Sequence, residues 1–129
     1  DNTGLRALYK ALERGEMVAI LPDQVPSARS GSVFAPFFGI PASTMVLLSR
    51  LAVKTGAPVV FGYAERLTHG RGYHLHFLPA PAEISHGSLE SSAAAVNTMV
   101  EKCARATPEQ YQWVYKRFRV RPAGEKAFY

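Results

Sequence analysis

Leu89, Ala93, Val96, Val100 and Cys103 recur at alternating steps of four and three, so they line one stripe of a long amphipathic helix. A stripe of that length must be buried against another apolar layer. The chain offers such layers in short pieces. Met17–Leu21 and Val59–Ala64 are continuous apolar runs, the pattern of buried strands. Tyr73, Leu75 and Phe77 alternate with His74 and His76, the pattern of a half-buried strand. Helical stripes interleaved with short strands imply an α/β fold.

Turn and cap residues set the order of the pieces. Thr3 is a capping residue, Leu5, Leu8 and Leu12 share a face, and Gly15 is a stop, which together predict a first helix. The run from Met17 ends at Pro22-Asp23-Gln24, and residues 25–32 read as a loop rich in Ser, Pro and Gly. Phe37-Phe38-Gly39-Ile40-Pro41 is expected to lead into a second helix, with Pro41 in or near its first turn, where a missing N–H costs little. Val46, Leu47 and Leu51 give that helix an apolar face and Gly56 ends it. Pro58 opens the next strand, and Gly70-Arg71-Gly72 turns the chain so that this strand and the following one pair antiparallel, up to Pro79 and Pro81. Thr107-Pro108-Glu109-Gln110 predicts a last short helix, with Thr107 as its cap and Gln110 completing a capping box. No repeat or internal boundary appears, so residues 1–129 read as part of one domain.

The 129 residues are 47% hydrophobic and 19% charged, a globular composition with no apolar run long enough to span a bilayer. The single cysteine, Cys103, rules out an internal disulfide and a cysteine-based zinc site, and its place on the helical stripe predicts a buried structural thiol. Charge is unevenly placed. Lys116, Arg117, Arg119, Arg121 and Lys126 stand against Glu125 alone, so +4 of the formal +5 falls in the last fifteen residues. That excess suits either an anionic partner or a solvated tail.

Three stretches carry candidate chemistry. Asp23 and Gln24 follow the carboxyl end of an expected buried strand, the edge at which open α/β sheets bind ligands. Phe37-Phe38-Gly39 sets two aromatics beside a glycine that allows close backbone approach, and a helix start near Ala42-Ser43-Thr44 would present free N–H groups to an anion. Glu109, Gln110, Tyr111, Trp113 and Tyr115 form an amphipathic aromatic cluster followed by Lys116, Arg117, Arg119 and Arg121, cations that can meet lipid phosphates. Each stretch also has a purely structural reading: a turn cap, a core plug, a braced terminus. His74 and His76 share a strand face at a spacing that can chelate a metal, with no third ligand beside them in sequence, so no metal or cofactor is assigned. The chain has no nucleophile elbow, phosphate-binding Walker loop or dinucleotide fingerprint, and no nucleic-acid module accompanies its basic end.

Taken in order, these signals resemble the late acyltransferases of lipid A biosynthesis. The resemblance runs through Gly15-Glu16-Met17-Val18 to Pro22-Asp23-Gln24, Val33-Phe34 to Phe38-Gly39 with Pro41-Ala42-Ser43-Thr44, Leu51-Ala52, Thr55-Gly56-Ala57-Pro58-Val59-Val60, and Pro108-Glu109-Gln110-Tyr111 to Arg117-Phe118. It implies a partial glycerolipid-acyltransferase-like fold, a mixed sheet with flanking helices. It also implies transfer of a fatty acyl chain from acyl carrier protein or coenzyme A to a hydroxyl of a lipid A precursor, at the cytoplasmic face of the bacterial inner membrane. The family's chemistry uses a His followed, four residues between, by Asp or Glu, the His acting as base and the carboxylate fixing its tautomer. That motif is missing: five residues after His69, His74, His76 and His86 stand His74, Pro79, Pro81 and Ser91.

The resemblance therefore implies a C-terminal portion, inactive alone, with no catalytic residue to assign. Its substrate-binding candidates are Asp23, Gln24, Phe38, Gly39, Pro41, Thr44, Glu109, Gln110, Trp113 and Arg117, with a phosphate contact expected of Arg117. A portion of a larger domain should also expose an apolar face or hide it by self-association. The competing classes are a non-catalytic module binding anionic lipid or an acidic protein, and, less in keeping with the motifs, a nucleic-acid binder.

Overall fold

A computed structural model describes residues 2–26 and 31–129. Among these the fold is mixed α/β, with four helices and two small antiparallel sheets of two strands each. Helix α1 (Asn2–Glu13) is followed by an extended stretch and a hairpin, β1 (Ser32–Phe37) and β2 (Ile40–Met45). Helix α2 (Leu47–Thr55) leads to a second hairpin, β3 (Val60–Arg66) and β4 (Tyr73–Pro79). A one-turn helix α3 (Glu83–His86) and the long α4 (Leu89–Ala106) complete the order, and 3-10 turns lie at Thr68–Gly70 and Pro108–Gln110. No mixed sheet forms among the described residues.

The helical stripe read from the sequence is the backbone of the core. Ala93, Val96 and Val100 are buried, and α4 packs chiefly on β1, with α3, β2 and β3 beside it. Ser88 caps α4, its hydroxyl accepting from the Ser91 N–H at 3.1 Å. Phe37, Phe61, Ile84, Val96, Met99 and Val100 form the apolar centre. Gly56 ends α2 in the left-handed conformation at φ 67°, as its position predicts. Thr3 lies inside the first turn of α1 rather than before it.

Three expectations give way to the structure. Met17–Leu21 forms no strand among the described residues, and Met17 and Leu21 are 93% and 65% exposed. An apolar run needs a neighbouring strand to become a buried one, and none is there. The Phe38-Gly39 stretch does not enter a helix. Phe38 (φ 49°) and Gly39 (φ 77°) form a two-residue hairpin turn, and Pro41 to Thr44 lie in β2. No helix N-terminus stands at Ala42-Ser43-Thr44, so the anion cradle expected there does not exist. Pro41 faces Pro36 across the hairpin, one step from the Phe37–Ile40 pair beside the turn. Antiparallel pairs alternate, which puts the two prolines at a non-hydrogen-bonded pair where neither lost N–H is needed. Of the loop expected over 25–32, residues 27–30 lie outside the described residues and Ser32 opens β1.

The second hairpin forms as expected, with Glu65 opposite His74 and Tyr63 opposite His76. Its faces are reversed. Tyr73, Leu75 and Phe77 point outward at 66%, 59% and 70% exposure, joined by Val60 at 58%, while Phe61, Leu78 and His76 turn inward. Gly62 lies on the outward face beneath Phe77; a Cβ there would stand 3.3 Å from the ring. An exposed apolar face was expected, and this is where it lies.

Candidate functional site

The closing segment, residues 107–121, holds the two hairpins and the turn at Pro22-Asp23 together. Tyr111 donates from its hydroxyl to Asp23 Oδ2 at 3.1 Å, and the Val25 N–H donates to the Tyr115 hydroxyl at 2.8 Å. Burial, then the charge of Asp23, pushes the Tyr111 phenol well above its ordinary value, so it stays a donor. A cleft of about 200 Å³ opens here, with Asp23, Gln110 and Tyr111 at its polar side and Phe61, Val100, Cys103 and Ala104 as apolar walls. Burial also raises the pKa of the half-buried Cys103 thiol, which keeps it protonated.

A second recess of about 140 Å³ shares Tyr111 and is lined by Phe37, Phe38, Trp113, Tyr115 and Phe118. Its aromatics interlock: Phe38 meets Phe37 edge-on at 4.8 Å and Trp113 at 5.8 Å, and Tyr111 meets Trp113 at 4.8 Å. The hairpin turn is pinned by the Phe38 N–H, which donates to Glu101 Oε1 at 2.7 Å, and the Arg105 guanidinium lies 4.8 Å from the Phe38 ring centre. Trp113, 56% exposed, donates from its indole N–H to the Pro108 carbonyl at 2.7 Å.

Of the residues singled out from the sequence, the structure gathers Asp23 and Gln110 on one cleft and Phe38 and Trp113 on the other, with Tyr111 between them. Gln24 and Glu109 are exposed nearby in sequence, and Gly39 shapes the turn. Four residues also make internal bonds that serve the fold. Arg117 is 4% exposed, and its Nη1 donates to the Ser43 carbonyl at 2.6 Å while Nη2 donates to Thr44 Oγ1 at 3.0 Å and Asn97 Oδ1 at 3.2 Å. Burial lowers its pKa, but an arginine remains charged. Thr44, fully buried, uses its hydroxyl hydrogen on the Ala42 carbonyl and both lone pairs on Arg117 and Asn97. Thr44 presents no surface to a ligand, while Arg117, its two Nη atoms engaged in these internal bonds, borders the aromatic recess.

The other two follow the same logic of covering bare sheet edges. Pro41 contributes its carbonyl, which accepts from Arg121 Nη1 at 2.7 Å. Thus the carbonyls of Pro41 and Ser43, alternate groups on the free edge of β2, are each met by an arginine of the closing segment. Gln110 does not form a capping box, and the Pro108–Gln110 turn lacks a side-chain cap. Its amide instead pairs with Arg66 as a strand would, accepting from the Arg66 N–H at 2.8 Å and donating to the Arg66 carbonyl at 3.1 Å. Asn97, absent from the sequence candidates, is the hub of the buried network: its Nδ2 also donates to the Pro36 carbonyl at 2.9 Å. A polar residue on the apolar side of the α4 stripe is the signal that marks it.

The family model described as bacterial lipid A biosynthesis acyltransferase matches residues 1–120. The chain is similar to a lipid A biosynthesis lauroyltransferase of Escherichia coli K12, 38% identical over 130 residues covering 100% of this chain and 42% of that protein. It is also similar to a lipid A biosynthesis palmitoleoyltransferase of the same strain, 38% identical with 97% and 40% covered. A lipid A biosynthesis acyltransferase of Haemophilus influenzae is 30% identical over 125 residues, with 97% and 38% covered. The chain thus spans about two fifths of the length of these curated relatives. No helix among the described residues is long and apolar enough to cross a membrane. By the extent of the family match, the chain belongs to the bacterial lipid A biosynthesis acyltransferase family.

Proposed function

We propose that this chain is the substrate-shaping portion of an enzyme that moves a fatty acyl group from an acyl thioester, on acyl carrier protein or coenzyme A, to a hydroxyl of a lipid A precursor. The enzyme works at the cytoplasmic face of the inner membrane and has a glycerolipid-acyltransferase-like fold. The observation that carries the reading is the apolar cleft between β3 and α4 with the Asp23–Tyr111 hydrogen bond at its polar side. An acyl chain suits its walls, and a carboxylate beside a phenol suits the hydroxyls and amides at the head of an acyl donor or acceptor. Phe38 and Trp113 offer a second aromatic shelf that shares Tyr111 with the cleft, and Gln24 and Glu109 are exposed residues next in sequence to Asp23 and Gln110.

In this family the base is a His followed at a fixed spacing by an acid; no His in this chain has that spacing, and the His76–Glu65 pair made across the β3–β4 hairpin is not part of the cleft lining. On this reading the chain by itself binds without turning over. The test titrates an acyl-phosphopantetheine thioester into isotope-labelled protein. Shifts at Val100, Cys103 and Tyr111, lost in Asp23→Ala, support the reading. An unmoved cleft, or acyl transfer to a lipid A precursor by this chain alone, overturns it.

A module that only holds anionic lipid is favoured by one observation: Lys116 and Arg119 remain exposed beside the exposed Val114. Salt-sensitive binding to anionic vesicles with no response to the acyl thioester selects it.

A further inference from the structure

We propose that Glu65, His74 and His76 form a binding site for a divalent transition-metal ion of the zinc class. The strand register makes the cluster. His74 and His76 lie two apart on one face of β4, and β3 brings Glu65 directly opposite His74. One ligand atom from each of the three lies within 4.8 Å of the other two, and His76 Nε2 is already 2.8 Å from Glu65 Oε2. Donors around a four-coordinate zinc ion stand roughly 3.3 Å apart, given bonds near 2.0–2.1 Å. Closing that difference calls on side-chain rotation, chiefly of the exposed His74.

The surroundings suit an ion in three ways. The His76 ring is stacked on Tyr63 at 4.6 Å with planes 8° apart, which holds one ligand in orientation before metal arrives. The His74 and His76 rings lie 4.2 Å apart, so both imidazoles reach the same point. Glu65 and His76 are half-buried while His74 is exposed, which leaves the ion a path from solvent and room for water as a further ligand. Two imidazoles and one carboxylate select zinc, nickel or cobalt over magnesium and calcium, which prefer oxygen. The site is distinct from the acyl cleft but adjoins it through Tyr63, which also lines that cleft. A bound ion locks the β3–β4 hairpin and stiffens the cleft wall.

The experiment titrates cobalt(II) into the protein, purified without an affinity tag, and follows ligand-field absorption. Binding of one equivalent, displaced by zinc, with the His74 and His76 ring resonances shifting and those of His69 and His86 fixed, is the expected result. His74→Ala and Glu65→Gln each weaken binding about tenfold or more, and His86→Ala leaves it unchanged. His74 is exposed, so its removal leaves the fold intact, as far-UV circular dichroism checks. Weak binding of several equivalents, or one-equivalent binding unaltered by His74→Ala and Glu65→Gln, overturns the site.

Discussion

Arg117 reaches Thr44 at 3.0 Å inside the protein, a guanidinium and a hydroxyl that meet across 73 residues of sequence with both groups out of water. Cutting Arg117 to Ala strands the Ser43 carbonyl and the Asn97 side-chain oxygen, and takes from that hydroxyl one of its three bonds. Arg117→Ala is therefore expected to cost about 3 kcal/mol of stability, read as a lower urea midpoint. Thr44→Val costs about 2 kcal/mol, and the double variant costs less than the sum, because the two changes remove one shared interaction. Additive losses would show that the two side chains act independently.

Gly39→Ala tests the hairpin turn. At φ 77° a side chain meets a penalty of roughly 1–2 kcal/mol, and the loss should appear mainly as faster exchange of the β1 and β2 amides. Slow exchange there in the variant would mean the turn is not what sets the pairing.

Gln110→Ala removes the two bonds that finish the edge of β3. We expect a loss of about 1 kcal/mol and selective deprotection of the Arg66 amide in hydrogen exchange. Gln110→Glu keeps the acceptor and loses the donor, so it should protect the Arg66 amide while remaining less stable than the parent.

Tyr111 ties stability to alkaline pH. Its folded-state pKa lies above the ordinary value of 10, so the unfolded chain gives up the proton first. The contribution is whole below about pH 10 and is lost as pH rises toward the folded-state value. Tyr111→Phe should be less stable than the parent at neutral pH yet lose less between pH 9 and about pH 11. Asp23→Asn, which takes away the charge beside the phenol, should flatten the alkaline fall in part. Equal alkaline slopes in all three proteins would refute the coupling.

Much of the architecture is legible in residue spacing, and the reasons for the failures are physical. The α4 stripe and the Gly56 stop are local signals, so they translate directly. The β3–β4 pairing was equally clear, but alternation does not say which face turns inward, and the histidine face did. Pro41 is ambiguous because a proline shortly after a turn suits a helix start as well as a non-hydrogen-bonded strand position; two residues ending in glycine between apolar runs are the better clue to a hairpin. For the site, Asp23 and Tyr111 were both in view, yet the bond between them spans 88 residues and no spacing encodes it. Gln110 and Arg117 carry plausible ligand chemistry in the sequence, whereas their partners include backbone groups of distant strands, which only packing brings to them. Glu65 escaped notice as a companion to the histidine pair because it lies on the preceding strand, across a turn.

Val60, Tyr73, Leu75 and Phe77 leave one side of the second hairpin oily and wet at once. Pairing of two such faces is favoured by the apolar area it removes from water and, by mass action, by the concentration of the chain. The melting midpoint of this chain should climb as the sample is concentrated, and every comparison among variants therefore has to be made at a single fixed dilution, with mild detergent as the reagent that erases the trend.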